Sequence, residues 1–284
     1  MCRVFVGTNL LLCVVSVAHA GNWSGEWALD DEIGQYPDSA LWKGYQSRSV
    51  NLNVAYLDRW NLDVGARETQ VQGLNTDQVA RPQDTWGDFS TTLSMDTWQR
   101  NITLGGQVLQ SHDPLGNNLN VQVQSLHLVQ EDFAGKQQGI LQLSESTYGH
   151  QFKVRQADLT QTAWLGRWGV GWQAEVEHSS LLGAKANYSG GLHLDLSLEV
   201  HPWWPRYAGL LAWAGTRQFA WDAVNHLAMT VFDEQHGAAI AYLGWQWNDH
   251  WHVYMSCGDV KAQTATDGQT YGIRFIHSQI NYTW

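Results

Sequence analysis

The stretch Trp164-Leu165-Gly166-Arg167-Trp168-Gly169-Val170-Gly171-Trp172-Gln173-Ala174-Glu175-Val176-Glu177 decides the fold class. Taken as one run, it divides into two interleaved sets. Trp164, Gly166, Trp168, Val170, Trp172, Ala174 and Val176 are apolar or small, whereas Leu165, Arg167, Gly169, Gly171, Gln173, Glu175 and Glu177 hold all the charge. An extended strand turns successive side chains to opposite faces, so this pattern is a strand with one apolar and one polar face.

The same period recurs along the chain. In 192–200, Leu192, Leu194, Leu196, Leu198 and Val200 alternate with His193, Asp195, Ser197 and Glu199. Segments 50–56, 239–247 and 251–257 repeat it, the last with Trp251, Val253, Met255 and Cys257 against His252, Tyr254 and Ser256. Working outward gives a map of fourteen strands: 22–31, 47–57, 61–73, 88–98, 101–112, 119–130, 138–146, 148–157, 163–178, 190–200, 206–218, 237–247, 251–262 and 271–284. Weak patterning in the first strand and in 138–157 leaves twelve as the alternative. Region 219–236 breaks the alternation, with Trp221, Val224, Leu227, Ala228 and Val231 at helical spacing. It reads as a long outer loop carrying a short helix, or else as two irregular strands.

Two architectures use strands of period two. A soluble sandwich or small barrel hides the apolar face inside; a transmembrane barrel turns it outward to lipid and keeps the polar face within. Several segments reach the ~10 residues that a tilted membrane strand needs. Aromatic residues stand at strand ends (Trp60, Trp98, Trp203, Trp204, Trp245, Trp247, Trp251), where membrane interfaces place them. Tight connections (Asp58-Arg59, Asn248-Asp249-His250) alternate with long ones (74–87, 179–189, 263–270). The five prolines all fall between strands, as an unbroken ladder requires. The expected fold is all-β: a transmembrane antiparallel up-and-down β-barrel of about 12–14 strands.

Composition agrees. Only 15% of residues are charged, against a usual ~25%. The formal charge of −11 argues against a nucleic-acid partner, which needs a Lys/Arg footprint. Met1–Ala20 has Arg3 near its start, an apolar run from Val4 to Val17 and the small-x-small site Ala18-His19-Ala20, so it reads as a signal peptide cleaved after Ala20. Residues 21–284 then form one barrel domain. Cleavage leaves Cys257 as the only cysteine, so no internal disulfide is expected.

The chain ends Ile276-His277-Ser278-Gln279-Ile280-Asn281-Tyr282-Thr283-Trp284, with Ile280 and Tyr282 on one face before the terminal aromatic. This resembles the C-terminal assembly signal of the Gram-negative outer-membrane β-barrel superfamily, in which the last residue is most often Phe rather than Trp. The resemblance implies residence in the cell outer membrane and lipid and lipopolysaccharide as surroundings. It also implies recognition of Ile280, Tyr282 and Trp284 by the barrel assembly machinery. It does not identify a subfamily.

The resulting leading function is a non-enzymatic channel or scaffold, permeable to cations or sugars if open. Arg167, Gln173, Glu175, Glu177, His193, Asp195 and Glu199 are the expected lumen-facing residues. Asn101, Thr103, Gln107, Asn120, Gln122 and Gln124 form an uncharged amide-rich row suited to filling or to sugar contact. A second function is an outer-membrane lipid or lipopolysaccharide esterase. His178 and Ser180 stand side by side on the lipid-facing side, as a catalytic base and nucleophile would. The outer-membrane phospholipase and lipid A deacylase families use a His-x-Ser pair, typically followed by Asn; here Leu181 follows. A third is a secreted glycan-binding sheet using Trp164, Trp168 and Trp172 as a platform. His193, Asp195 and Ser197 stand in one row, which leaves the His unable to bridge the other two. Asp30-Asp31-Glu32 and Asp233-Glu234 read as acidic outer loops. No motif for a metal or cofactor is present.

Overall fold

The computed structural model describes residues 22–40, 42–57, 59–73, 79–94, 98–112, 118–132, 135–149, 152–180, 185–198, 204–218, 221–222, 227–228, 233–264 and 268–284. Residues 1–20, where a signal peptide is expected, and Glu199 lie outside them. Fourteen long strands make up the fold: β1 (Trp23–Gln35), β2 (Trp42–Tyr56), β3 (Trp60–Gly73), β4 (Gln83–Ser94), β5 (Trp98–His112), β6 (Asn118–Asp132), β7 (Gln137–Tyr148), β8 (Phe152–Leu165), β9 (Trp168–Ser179), β10 (Ala186–Ser197), β11 (Tyr207–Arg217), β12 (Glu234–Gln246), β13 (Trp251–Gln263) and β14 (Thr270–Thr283). Each pairs antiparallel with its neighbours in sequence. β14 pairs with β1, so the up-and-down sheet closes on itself. Closure pairs each of these strands on both sides and leaves no free sheet edge among the described residues, the condition for a sheet to stand in hydrocarbon. Strand lengths of 11 to 15 residues exceed the ~9–11 that cross a bilayer, so the strands extend beyond it.

One end of the barrel has tight reversals. Gly166-Arg167 joins β8 to β9, with Leu165 opposite Trp168. Gly166 has φ +66°, and a two-residue hairpin of type II′ needs a positive φ at this first position. At the same end Asn248 accepts from the backbone N–H groups of His250 and Trp251, both at 2.9 Å. The other end carries the connections 74–82, 180–185 and 218–233. Short turns mark the periplasmic end of this kind of barrel and long loops the outer end.

Two expectations change. The run 163–178 is two strands, because the Gly166 turn cuts it. Leu165 therefore faces outward, 73% exposed, while Trp164 lies opposite Gly169 on the inner face. The three-tryptophan platform does not exist. The helix anticipated in 219–236 is also absent among the described residues, where Trp221–Asp222 pairs antiparallel with Leu227–Ala228. Apolar spacing over so short a segment cannot offset the cost of helix nucleation.

The core is the wall itself. On the outside, thirteen strands present an exposed large apolar side chain, among them Leu29, Val50, Leu104, Leu159, Leu192 and Ile276; β6 adds the less exposed Leu126 and Leu128. A continuous apolar band is foreign to soluble monomers, whose exposed patches rarely exceed a few hundred Å². On the inside, glycines receive aromatic rings from the adjacent strand: Tyr45 on Gly34, Trp86 on Gly65, Tyr242 on Gly209, Tyr207 on Gly244 and Phe275 on Gly258. A Cβ at any of these glycines would fall within the ring. The rings thus lie along the wall instead of projecting toward the barrel axis.

Gly65→Ala is accordingly expected to cost about 1–3 kcal/mol by displacing the Trp86 ring. Gly139→Ala, with open space around it, is the matched control. The urea midpoint of tryptophan fluorescence checks both; equal midpoints would show that the ring sits there by accident of packing.

Candidate functional site on the inner wall

Strand parity and register set which side chains reach the lumen. On β9, Gln173, Glu175 and Glu177 point inward, opposite Thr160, Asp158 and Gln156 on β8 and Gly191, Ser189 and Asn187 on β10. Arg217, at the end of β11, reaches back two strands to them. Its Nε lies 2.7 Å from Glu175 Oε2 and donates to Ser189 Oγ at 2.8 Å. Its guanidinium lies over the Trp213 ring, 4.0 Å from the centroid. Glu177 Oε2 accepts from the backbone N–H of Gln218 at 2.8 Å. Glu177 is 1% exposed and Glu175 7%. Two buried carboxylates thus lie beside one guanidinium, with the Gln218 amide and the Asn187 side chain also bonding Glu177.

His193 faces inward over Gly171, its Nε2 2.9 Å from Thr162 Oγ1 and 3.7 Å from the Asp195 carboxylate. Asp195 accepts from the Tyr242 hydroxyl. Ser197 ends β10 and is exposed. Elsewhere on the wall Asp63 accepts from Asn51 (2.9 Å), Asn53 (3.3 Å) and Trp86 Nε1 (3.0 Å). Asp30 accepts from Ser49 at 2.7 Å and meets His277 Nε2 at 3.1 Å. Each of these contacts joins strands that are adjacent or next-adjacent, so they brace the wall rather than bridge the lumen.

At the outer rim, the Tyr271 hydroxyl donates to Asp233 at 2.6 Å, and Tyr36 packs between Tyr45 and Tyr271. Burial, with Glu32 and Asp233 nearby, pushes the Tyr36 phenol well above its ordinary range. It stays protonated.

Several anticipated positions move. Arg167 sits in the β8–β9 turn, exposed, and is not on the inner face of a strand. Asn120, Gln122 and Gln124 do not continue the amide row of Asn101, Thr103 and Gln107. They share the outer face with Val108 and Gly106, while Val121 and Val123 are buried inside against Tyr148 and Gln107. Asp30 and Glu32 are not loop residues but lie within β1, on its inner face, and Asp31 turns outward to Arg48. Ile280 and Tyr282 face outward on β14. Trp284 exchanges backbone hydrogen bonds with Gly25 and lays its indole over it.

His178 and Ser180 lie on the outer surface at the long-loop end. Ser180 Oγ accepts from the backbone N–H of Lys153 at 2.9 Å. His178 stands between Arg155 and Ala186, neither of which can orient an imidazole as a carboxylate does. Among the described residues the two side chains make no hydrogen bond to each other. Among the described residues no group of three or more His, Cys, Asp or Glu side chains could hold a metal ion.

The sequence reading missed Arg217. Its signal was present: Trp213, Gly215 and Arg217 continue the inward row of β11, and arginine is scarce on the inner rows. Its partner 42 positions earlier could be named only with the β9–β10–β11 register in hand.

No family model matches the sequence, and no characterised protein matches it by sequence. Solved structures match by fold. The toluene transporter TodX of Pseudomonas putida superposes with TM-score 0.53 at 8% identity, covering 93% of this chain and 88% of that one. The CymD monoaromatic hydrocarbon channel gives 0.54 at 9% identity, over 92% and 88%. A bacterial polysaccharide outer-membrane secretin gives 0.53 at 9% identity, over 92% and 98%. The chain shares the fold of these outer-membrane barrels.

Proposed function

We propose that this chain is a non-enzymatic diffusion channel of the outer membrane that favours cations. The carrying observation is the segregation of charge across the wall. Inner rows hold Glu26, Asp30, Glu32, Asp63, Asp84, Asp88, Glu131, Asp158, Glu175, Glu177 and Asp195. Against them stand Arg67 and Arg217, while Arg48, Arg100, Lys153, Arg155, Lys261 and Arg274 are turned outward, where the fewer acids Asp31, Glu68, Glu145 and Asp259 accompany them. Asp84, Glu175 and Glu177 are buried in the wall; the remaining carboxylates around a pore raise the local concentration of cations and select for them.

Barrel width supports an open bore. Fourteen strands about 4.8 Å apart and tilted about 40° trace a backbone circle roughly 28 Å across. Eight-stranded barrels are filled by their own side chains, whereas 16–18 strands leave an aqueous channel. The rings laid on glycines keep large side chains near the wall. The continuous outer apolar band and the fold shared with outer-membrane barrels support the membrane setting. The neighbours' names span hydrocarbons and polysaccharide, so the common barrel does not itself specify a solute.

Planar bilayers under a KCl gradient test the proposal. The reversal potential should carry the cation-selective sign, with a permeability ratio of about tenfold at low salt that shrinks toward unity at 1 M, where the Debye length is about 3 Å. A closed bilayer, a zero potential or the anion sign overturns it.

A further inference from the structure

The outward face of β7, β8 and β9 departs from the apolar band at one place. Below it, Leu143, Ala157 and Val176 continue the band. Above them Arg155 stands directly opposite both His178 and Glu145, and Lys153 lies one pleat higher, opposite Thr147. Glu145 is the single acid here, bonded to Lys153 Nζ at 2.6 Å and to Arg155 Nε at 2.9 Å. The bond through Nε fixes the guanidinium and leaves its two terminal amino groups unengaged among the described residues; the Arg155 side chain is 75% exposed. The other outward cations of the outer half are matched singly where they are paired, Arg48 with Asp31 and Arg274 with Asp259. Among the described residues, only here do two permanent cations bond one carboxylate, and His178 stands opposite one of them.

The surface is also concave. A groove of about 540 Å³ runs past Lys153, Arg155, His178 and Ser180. A second, of about 580 Å³, shares Arg155 and His178 and descends along Leu126, Leu143, Ala157 and Val176. A cationic head above an apolar trough matches an anionic lipid, phosphate up and acyl chain down.

We propose that Lys153, Arg155 and His178 bind a phosphate of lipid A, whose acyl chain occupies the Leu143–Ala157–Val176 trough. The long-loop end faces outward, so the lipid at this height belongs to the outer leaflet. Lipopolysaccharide supplies a phosphate there on a multi-acylated base. Arg155 offers its terminal amino pair to two phosphate oxygens, and Lys153 and His178 add single contacts. Ser180 completes the rim. The residues that resemble a hydrolytic pair become a lipid-anchoring surface. This inference rests on the outer-membrane setting proposed above.

The experiment compares wild type with the Lys153→Gln/Arg155→Gln double variant and with Arg274→Gln, an outward cation away from the groove. Each is purified from outer membranes in mild detergent, and bound lipid A is counted by native mass spectrometry. The double variant should lose about tenfold in lipid A occupancy, and Arg274→Gln almost nothing. Equal occupancy in all three overturns the site. Should the double variant fail to assemble, wild type refolded with bis-phosphorylated or enzymatically dephosphorylated lipid A gives the answer: only the phosphorylated form should raise its melting temperature. An equal rise with phosphatidylglycerol would also overturn the assignment, by showing a generic phospholipid surface. Bilayer conductance of the same preparations reads the channel separately, so loss of one result leaves the other standing.

Discussion

Replacing Arg217 with Met should cost the barrel about 3–5 kcal/mol, the penalty for stranding a buried charge. The guanidinium lies 2.7 Å from Glu175, with side-chain exposures of 18% and 6%. Once it is gone, Glu175 keeps a weak contact from Ser189 at 3.3 Å, and Glu177 stands two residues away on the same inner row. Two buried carboxylates would then face each other with no cation between them. Arg217→Lys should recover little, because a single ammonium cannot both lie over Trp213 and direct Nε at Glu175. Arg217→Met combined with Glu175→Gln should recover much of the loss, since removing both partners leaves no unpaired charge. Urea midpoints of detergent-refolded protein, with heat-modifiable gel migration as the check on assembly, separate these outcomes. A loss of no more than the ~1 kcal/mol typical of an exposed pair would show that lumen water already solvates the carboxylates. That result would count against a wall braced by this contact, while leaving the acidic lining intact.

What the sequence revealed follows from what lipid does to a strand. One side of each crossing must be apolar whatever its neighbours are, so alternation in 168–176 or 192–196 is visible without knowing any partner. The same alternation narrowed the strand number to twelve or fourteen, and the pairing decides for fourteen. Pairing information is different in kind. Whether Gln122 faces the bore depends on its register against Val108, and its own strand alternates equally well in either sense, because Val121 and Val123 can stand on either side of a wall. The turn at Gly166-Arg167 had a local signal in its glycine, but the tryptophans around it kept up the two-residue period and masked the reversal. The glycine–aromatic joints, such as Gly65 with Trp86, link residues 11 to 37 positions apart and have no local signature. The same holds for Glu177 and Gln218, 41 residues apart. Faces are written within a strand; the site is written between strands.

The lipid-facing assignment has its own decisive substitution, and the structure changes which residue it should be. The sequence alone marks Leu196 as a mid-strand position. In the fold it is next to last in β10, opposite Trp168 beside the short-turn end, where a charged side chain can reach water. Leu192 is the central position: it pairs with Trp172 and Ala212, is 68% exposed and lies midway along the apolar run of β9 and β10. Arginine near the bilayer midplane of such a barrel costs about 2–4 kcal/mol, falling to about 0–1 near the interface. Leu192→Arg should therefore destabilise the refolded barrel in liposomes by about 2–4 kcal/mol, and Leu196→Arg by about 1 or less. The inward Gln173→Arg, next to Glu175 on the same row, should be milder than Leu192→Arg and should lower cation selectivity. The contrast between the first two probes depth, and that between the first and third probes sidedness. In detergent micelles, where the apolar layer is thinner and more deformable, the Leu192–Leu196 gap should narrow. If Leu192→Arg and Leu196→Arg prove equal in liposomes, depth has no effect and the band does not face lipid. If Leu192→Arg and Gln173→Arg are equal instead, the barrel has been assigned the wrong inside.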